Sequence, residues 1–368
     1  MSSIRVLVVD DSAFLRRALP LLLESDPLIQ VVGTAANGVE AVQQVKALHP
    51  DVVTLDVLMP IMDGLTALKI IMREAPTAVV MISATTGEST LEALEALALG
   101  AVEVVMKPSG SASLDIGSNR AELVRVVKSA ARATVTPITP GDLTRDKFRS
   151  LIQGLTRSQQ PNQAASAATL GHADGARRLV AIAASTGGPA ALQEILPHLP
   201  GDLGAGIVIV QHIAAGFTRP LADRLDKLSA ITIVEATDGM PIQPGVALLC
   251  PAMVHLTVER SLTGLVARLS DQPFSAPYRP SADVLFRSIA AACAPQTCAV
   301  ILTGMGDDGA LGMRAIHEAG GWTVAQDQQS CVIYGMPRRA VELGGVHVSL
   351  GLDHIAQEIV RVTRGVAR

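Results

Sequence analysis

Aromatic side chains are scarce: one Trp, two Tyr and five Phe, 2% of 368 residues. A surface that stacks bases needs a row of such rings, so single-stranded nucleic-acid binding is excluded. Charge is sparse too, at 17%, and nearly balanced, with 30 Lys and Arg against 34 Asp and Glu for a net charge of −4. That leaves no basic footprint for a phosphate backbone. No apolar run approaches the roughly 18 residues that a membrane-spanning helix needs. The opening MSSIRVLVVDD is interrupted by Asp10 and Asp11, which excludes a signal peptide. These lacks predict a soluble cytoplasmic protein with no nucleic-acid partner and no membrane insertion. The four cysteines, Cys250, Cys293, Cys298 and Cys331, all lie in the second half. The spacing of Cys293 and Cys298 does not make a C-x-x-C motif and no His cluster joins them, so they read as plain thiols of a reducing compartment.

What the chain does have is apolar residues, 49% of the total. Its length exceeds what one hydrophobic core serves, and two domains follow. Residues 1–132 alternate apolar runs (IRVLVV, IQVVGTA, DVVTLD, AVVMISA, AVEVVMKP) with helix-period segments such as GVEAVQQVKALH. Near-continuous Val/Ile strands between amphipathic helices predict a doubly wound parallel sheet. From 133 to 178 the text turns rich in Pro, Gly, Ser, Gln and Ala, which predicts a linker with one short helix at DKFRSLIQGL. Residues 179–368 resume the alternation (LVAIAAS, AGIVIVQH, ITIVEA, VALLCP, CAVILTGM, WTVAQD) and predict a second, mostly parallel α/β domain.

In an open parallel sheet, chemistry collects outside the carboxyl ends of the strands. In the first domain those ends carry Asp10 and Asp11, then Asp56, Ser83 and Lys107. Three carboxylates on one rim repel one another, and a hard divalent cation such as Mg²⁺ relieves that repulsion. A carboxylate bridged by a metal beside a Lys is set to accept a phosphoryl group. VLVVDDSAFLRR, VVTLDVLMPIMDGLTAL, MISATT and VMKPSG resemble the receiver domains of two-component signalling, over about residues 4–130. The resemblance implies a flavodoxin-like fold and Asp56 as phospho-acceptor. It implies Asp10, Asp11, Asp56 and the Leu58 carbonyl as Mg²⁺ ligands, with Ser83 and Lys107 as the switch pair around the phosphate. Where receivers usually carry an aromatic three residues before the Lys, this chain has Val104.

The second rim starts at AIAASTGGPA. A glycine-rich turn between a buried strand and a helix cradles a phosphate, holds a nucleophile, or is only a tight turn. If Ser185 is a nucleophile it needs a base, and the base needs an orienting acid. His212 directly follows the strand GIVIVQ and shares the rim of Ser185; His255 is the runner-up. Asp307 and Asp308 both lie just past the strand CAVIL, in a loop whose glycines expose N–H groups, with the Met305 N–H as one oxyanion donor. Thr186, beside Ser185, is the second oxyanion candidate.

AIAASTGGPAALQEIL, VIVQHIAAGFTRPLADRL, YRPSADVLFRS, VILTGMGDDGALGM and GWTVAQDQQSCVIYGMPRRA resemble the catalytic domain of the chemotaxis protein-glutamate methylesterases, a Rossmann-like α/β fold. The order receiver, linker, catalytic domain is similar to that family as well. The resemblance implies Ser185 as nucleophile, His212 as base and Asp308, from the pattern G-M-G-x-D-G, as orienting acid. It implies hydrolysis of glutamate methyl esters, and deamidation of glutamines, on chemoreceptors. A chemotaxis histidine kinase would be the phosphodonor, and an unphosphorylated receiver would cover the catalytic mouth. Mg²⁺ would serve receiver phosphorylation only, with no cofactor for hydrolysis. Two departures stand out: Ala214-Ala215 replaces the family's Pro-Pro, and Cys250-Pro251-Ala252-Met253 replaces its Ala-Pro-Gly-Gly. The same residues also fit a hydrolase of another acyl substrate, or a binding module without turnover.

Overall fold

In the computed structural model the chain divides into two compact units, Met1–Thr139 and Pro140–Arg368. Residues 3–83, 87–107, 116–135, 137 and 178–365 are described. The expected linker and its short helix lie almost wholly outside them.

The first unit alternates β1 (Ile4–Val9), α1 (Leu15–Leu23), β2 (Ile29–Ala35), α2 (Gly38–Leu48), β3 (Val52–Asp56), α3 (Gly64–Glu74), β4 (Ala78–Ser83), α4 (Gly87–Ala98), β5 (Glu103–Met106) and α5 (Ile116–Ala130). The sheet order is β2-β1-β3-β4-β5, and every pairing is parallel. Strands β3 and β4 are buried along their whole length, as their unbroken apolar runs require when helices cover both faces. Chain order reverses at β1, so β1 and β3 frame the crevice where such sheets bind ligands. Asn37 and Asp63 cap α2 and α3 by accepting the N–H groups of Glu40 and Thr66, satisfying donors that a helix start leaves open.

The second unit has β6 (Leu179–Ala184), α6 (Gly188–Ile195), β7 (Gly206–Gln211), α7 (Thr218–Leu228), β8 (Thr232–Glu235), β9 (Val246–Leu249), β10 (His255–Ser261), β11 (Gly264–Ser270), α8 (Ala282–Cys293), β12 (Thr297–Ile301), α9 (Ala310–Glu318), β13 (Trp322–Gln326), α10 (Met336–Glu342), β14 (Val348–Leu350) and α11 (Leu352–Arg364). Seven strands form one parallel sheet in the order β14-β13-β12-β6-β7-β9-β8. The chain enters at the centre with β6, builds one side with β7, the edge strand β8 and β9 inserted between them, then returns to build the other outward through β12, β13 and β14. Strands β12, β6 and β7 are therefore neighbours although far apart in sequence, and their carboxyl ends meet.

The sequence does not announce the antiparallel pair β10–β11 or the edge strand β14. The hairpin alternates apolar residues with Glu259, Arg260 and Arg268 and makes a sheet of its own. It interrupts the βα alternation that organises the rest. Strand β14 is only three residues long, too short for a periodic signal.

All four cysteines are free and buried, as plain thiols should be. Burial pushes the thiols of Cys298 and Cys331 up to about 12, which makes them poor nucleophiles. The core is aliphatic, and Phe286 of α8 is fully buried in it. A Cβ added to Gly312 of α9 would sit 2.5 Å from the Phe286 Cβ, so the two helices are in close contact there. Phe286→Ala should therefore cost about 3–5 kcal/mol of stability, read from the denaturant midpoint of the second unit. A loss below 1 kcal/mol would contradict this packing.

Candidate active site

Ser185 follows β6 directly and is 4% exposed. The turn after it is shaped by neighbours. Gly187 has φ +79° and forms the N-cap of α6, with Pro189 in the first turn. A Cβ on Gly188 would lie 2.1 Å from Oε1 of Gln211, so only glycine lets this helix start against β7. Across the loop, a Cβ on Gly304 would meet the Ser185 Cβ at 2.7 Å.

His212 sits one position past β7, beside Ser185. Its N–H donates to the Ala184 carbonyl at 3.0 Å, which continues the β6–β7 ladder to the rim. Gln211, completely buried, donates through Nε2 to the carbonyls of Ser185 (2.8 Å) and His212 (2.9 Å). One amide therefore ties the two strand ends together.

Asp308 comes from the loop after β12 and accepts His212 Nε2–H at Oδ2, 2.8 Å. It also accepts the Ser281 hydroxyl (2.8 Å) and the N–H groups of Ala282 (2.7 Å) and Asp283 (3.1 Å). It thus lies against the N-terminus of α8, whose dipole favours an anion. Burial works to raise its pKa, but the His212 hydrogen bond and charge, with the Ala282 and Asp283 N–H groups, outweigh that and hold it below the usual carboxylate range. With Nε2 bonded to a carboxylate, the neutral His212 ring carries its lone pair on Nδ1. Nδ1 is buried and has no hydrogen-bond partner among the described residues. The ring is held flat by Tyr278, stacked at 4.8 Å with the planes 8° apart.

The structure brings Ser185, His212 and Asp308 to adjacent strand ends. Thr186 is buried next to Ser185, and the Thr303 hydroxyl donates to its carbonyl at 3.0 Å. Met305 lies in the loop between β12 and α9 and makes no backbone hydrogen bond among the described residues through its N–H. Asp307, the other acid of the pair, is exposed. The runner-up His255 is fully buried and accepts the Ser281 N–H at Nδ1, 3.2 Å. It supports Ser281 from behind the site.

Gln211, Tyr278, Ser281 and Thr303 also belong to this site and were not legible as such. Gln211 is the one with a local signal, a polar residue closing an apolar strand.

The rim of the first unit is built differently. Lys107 Nζ lies 2.6 Å from Asp56 Oδ2 and 3.2 Å from Asp10 Oδ2. The Asp10 contact is an ion pair without hydrogen-bond geometry, since Asp10 Oδ2 is left without a directed partner. Ligand oxygens of Asp10, Asp11 and Asp56 all fall within 4.8 Å of one another. Burial pushes the Asp56 carboxyl up to about 6, against the pull of Lys107. Burial also draws Lys107 down, but Asp56 and Asp10 more than offset it and leave it above its ordinary value. A buried carboxylate with an undirected oxygen in an all-oxygen cluster fits a hard divalent cation. Leu58 directs its N–H at Asp56 Oδ1, 3.4 Å. Ser83 is fully buried at the end of β4, and its carbonyl accepts the Lys107 N–H at 2.7 Å. Val104 is a buried residue of β5.

A family model for the CheB methylesterase matches residues 180–359, and one for the response regulator receiver domain matches residues 6–116. A protein-glutamate methylesterase/protein-glutamine glutaminase from Symbiobacterium thermophilum is 48% identical, over 97% of this chain and 96% of its own. The chain belongs to this methylesterase family. A relative of the same description from Geobacillus kaustophilus is 44% identical over 98% of this chain and 99% of its own. The crystal structure of the Thermotoga maritima CheB methylesterase catalytic domain matches with TM-score 0.50 at 36% identity, covering 52% of this chain and all of that one. Among the described residues, no helix is long and apolar enough to cross a membrane.

Ser281 serves the site twice, donating to Asp308 and accepting the Val284 N–H as N-cap of α8. Ser281→Ala should lower stability by about 1–2 kcal/mol and reduce turnover, because one of the donors that keeps Asp308 charged is gone. Chemical denaturation and steady-state kinetics on the same variant test this. A neutral effect on both would contradict the role.

Proposed function

We propose that this chain is a phosphorylation-activated serine hydrolase that removes methyl groups from glutamate methyl esters on chemoreceptors, and deamidates receptor glutamines, in chemotaxis. The observation that carries the reading is the hydrogen bond from His212 Nε2 to Asp308 beside Ser185, on three neighbouring strand ends.

Ser185 Oγ attacks the ester carbonyl while His212 Nδ1 takes its proton. The negative oxygen of the tetrahedral intermediate is stabilised by the Met305 N–H and by Thr186. His212 returns the proton to the departing methoxide, methanol leaves, and the glutamyl group is an ester of Ser185. Water, deprotonated by His212, then attacks that ester, and His212 passes the proton to the departing Ser185 Oγ as the glutamate carboxylate is released. With glutamine the leaving group is ammonia, so the acylation step is the harder one. Asp308 holds the imidazole in the tautomer that leaves Nδ1 free and stabilises the imidazolium.

Regulation resides at Asp56, which accepts a phosphoryl group from a chemotaxis histidine kinase. Asp10, Asp11, Asp56 and the Leu58 carbonyl would hold Mg²⁺, which supplies neutralisation of the charge on the transferred oxygens. Lys107 pairs with the phosphate, and Ser83 is the switch hydroxyl. A cytoplasmic location is part of this reading, since the proposed substrate helices and kinase act there.

Methanol release from methylated receptors, with and without a small-molecule phosphodonor, tests both halves. Ser185→Ala should lower turnover by roughly 10⁵-fold or to background. Asp56→Ala should keep basal turnover and lose the response to the phosphodonor. A Ser185→Ala protein that still turns over, or an Asp56→Ala protein that still responds, would refute the corresponding half.

The cation site makes a separate prediction. With its pKa raised to about 6, Asp56 contributes stability that is present below pH 3.8 and lost as pH rises through 6. Mg²⁺ offsets that loss by favouring the ionised carboxylates. Its effect on the receiver Tm should therefore be larger at pH 7.5 than at pH 5, and worth about 2.7 kcal/mol at a hundredfold excess over Kd. Asp11→Asn should remove most of the shift. Equal Mg²⁺ shifts in the variant and the parent would show that the acidic cluster is not the site.

A further inference from the structure

We propose that Met253 is a specificity-determining contact that grips an apolar side chain of the polypeptide carrying the glutamyl group. The inference rests on the hydrolase reading above and adds the residue that selects the substrate.

Met253 is anomalous in two ways at once. Its backbone is in the left-handed region, φ +69°, which L-residues avoid because Cβ crowds the following carbonyl and which glycine enters freely. Its side chain is 62% exposed, so the methionine gains little from packing. A glycine here would relieve the backbone and remove apolar surface from water. Residues held in such backbone regions cluster at ligand-binding and active sites.

The position of Met253 supplies the function. Strand β9 lies beside β7, and just past it the Cys250 N–H donates to the Ile209 carbonyl at 2.9 Å. The β9 and β7 ends thus open on the same rim, and the β7 end carries His212. The Met253 N–H donates to the Arg279 carbonyl at 3.4 Å. The residue before Arg279 is Tyr278, the ring stacked on His212. Met253 is therefore one hydrogen bond and one residue away from the side chain that flattens the base. Beyond Arg279 lies a second exposed apolar group. The guanidinium rests over the Phe274 ring, 5.0 Å from its centroid, and Phe274 is 57% exposed. The nearby cation is thus engaged with a ring. Met253 and Phe274 present flexible and flat apolar surface at the segment that carries Tyr278, the ring stacked on His212. Such surface is recovered from water only when something apolar covers it. Methionine, unbranched and polarisable, adapts to varied apolar partners. The occupant that fits is an apolar side chain of the substrate polypeptide, close to its esterified glutamate.

The test is steady-state methanol release from a methyl-esterified receptor fragment by the full chain with phosphodonor, for the parent, Met253→Gly, Met253→Ser and Met253→Leu, together with the Tm of each. Met253→Gly and Met253→Ser should raise KM roughly tenfold, the scale of losing one buried apolar side chain, with kcat changed less than twofold. Met253→Leu should keep the parent KM. Met253→Gly should also raise Tm, by roughly 2 °C, as strain is released. A Met253→Gly protein with the parent KM, or with a lowered Tm, would overturn the proposal, the second because it would make Met253 a packing residue. If the parent itself releases no methanol while a serine-reactive probe labels Ser185, the substrate reading fails, and the assignment of Met253 to that substrate fails with it.

Discussion

The catalytic unit is organised around one carboxylate at the start of a helix. Asp308 accepts from the Ser281 hydroxyl, from the Ala282 and Asp283 N–H groups of α8 and from His212. These contacts set the tautomer of His212, and the tautomer decides which ring nitrogen is available as a base. They also anchor α8 against the loop that follows β12, linking the site to the core around Phe286. If the carboxylate turned away, the His212 ring would lose the bond that fixes its tautomer and keep the Tyr278 stack alone.

Most of what the sequence makes legible here comes from the parallel sheet. A continuous apolar strand followed by a polar residue marks a rim position, and that grammar places Asp10, Asp56, Ser83, Lys107, Ser185 and His212 without any structure. Asp308 was harder, because Asp307 and Asp308 are adjacent and a loop has no period. The pattern G-M-G-x-D-G points to Asp308, and the fold supplies the physical reason: Asp307 is exposed and Asp308 is buried at a helix start. Ser281 and Tyr278 fall within the motif YRPSADVLFRS, but no periodicity assigns them to the site. They act by touching residues far away in the chain, and single-sequence periodicity is blind to such contacts. The hairpin β10–β11 was missed for a related reason, since it breaks the alternation that makes its surroundings readable.

The two rims show that one architecture can drive buried carboxylates in opposite directions. Asp56 closes β3 and Asp308 lies in the loop after β12; both are almost fully buried, and burial raises both. Asp308 is answered by two backbone N–H groups, a hydroxyl and an imidazole, and its pKa falls below the ordinary range. Asp56 is answered by Lys107 and by one long N–H contact from Leu58, while Asp10 lies close enough to oppose it, and its pKa rises to about 6. The difference is in the number of directed donors, not in the depth of burial. A site with its donors built in favours the charged form, which is what the proposed mechanism asks of the residue that orients His212. A site left short of donors stays under-compensated until a cation or a phosphoryl group changes its charge. In the proposed regulation, that incompleteness is what would let Asp56 respond to a signal, whereas Asp308 has its donors in place.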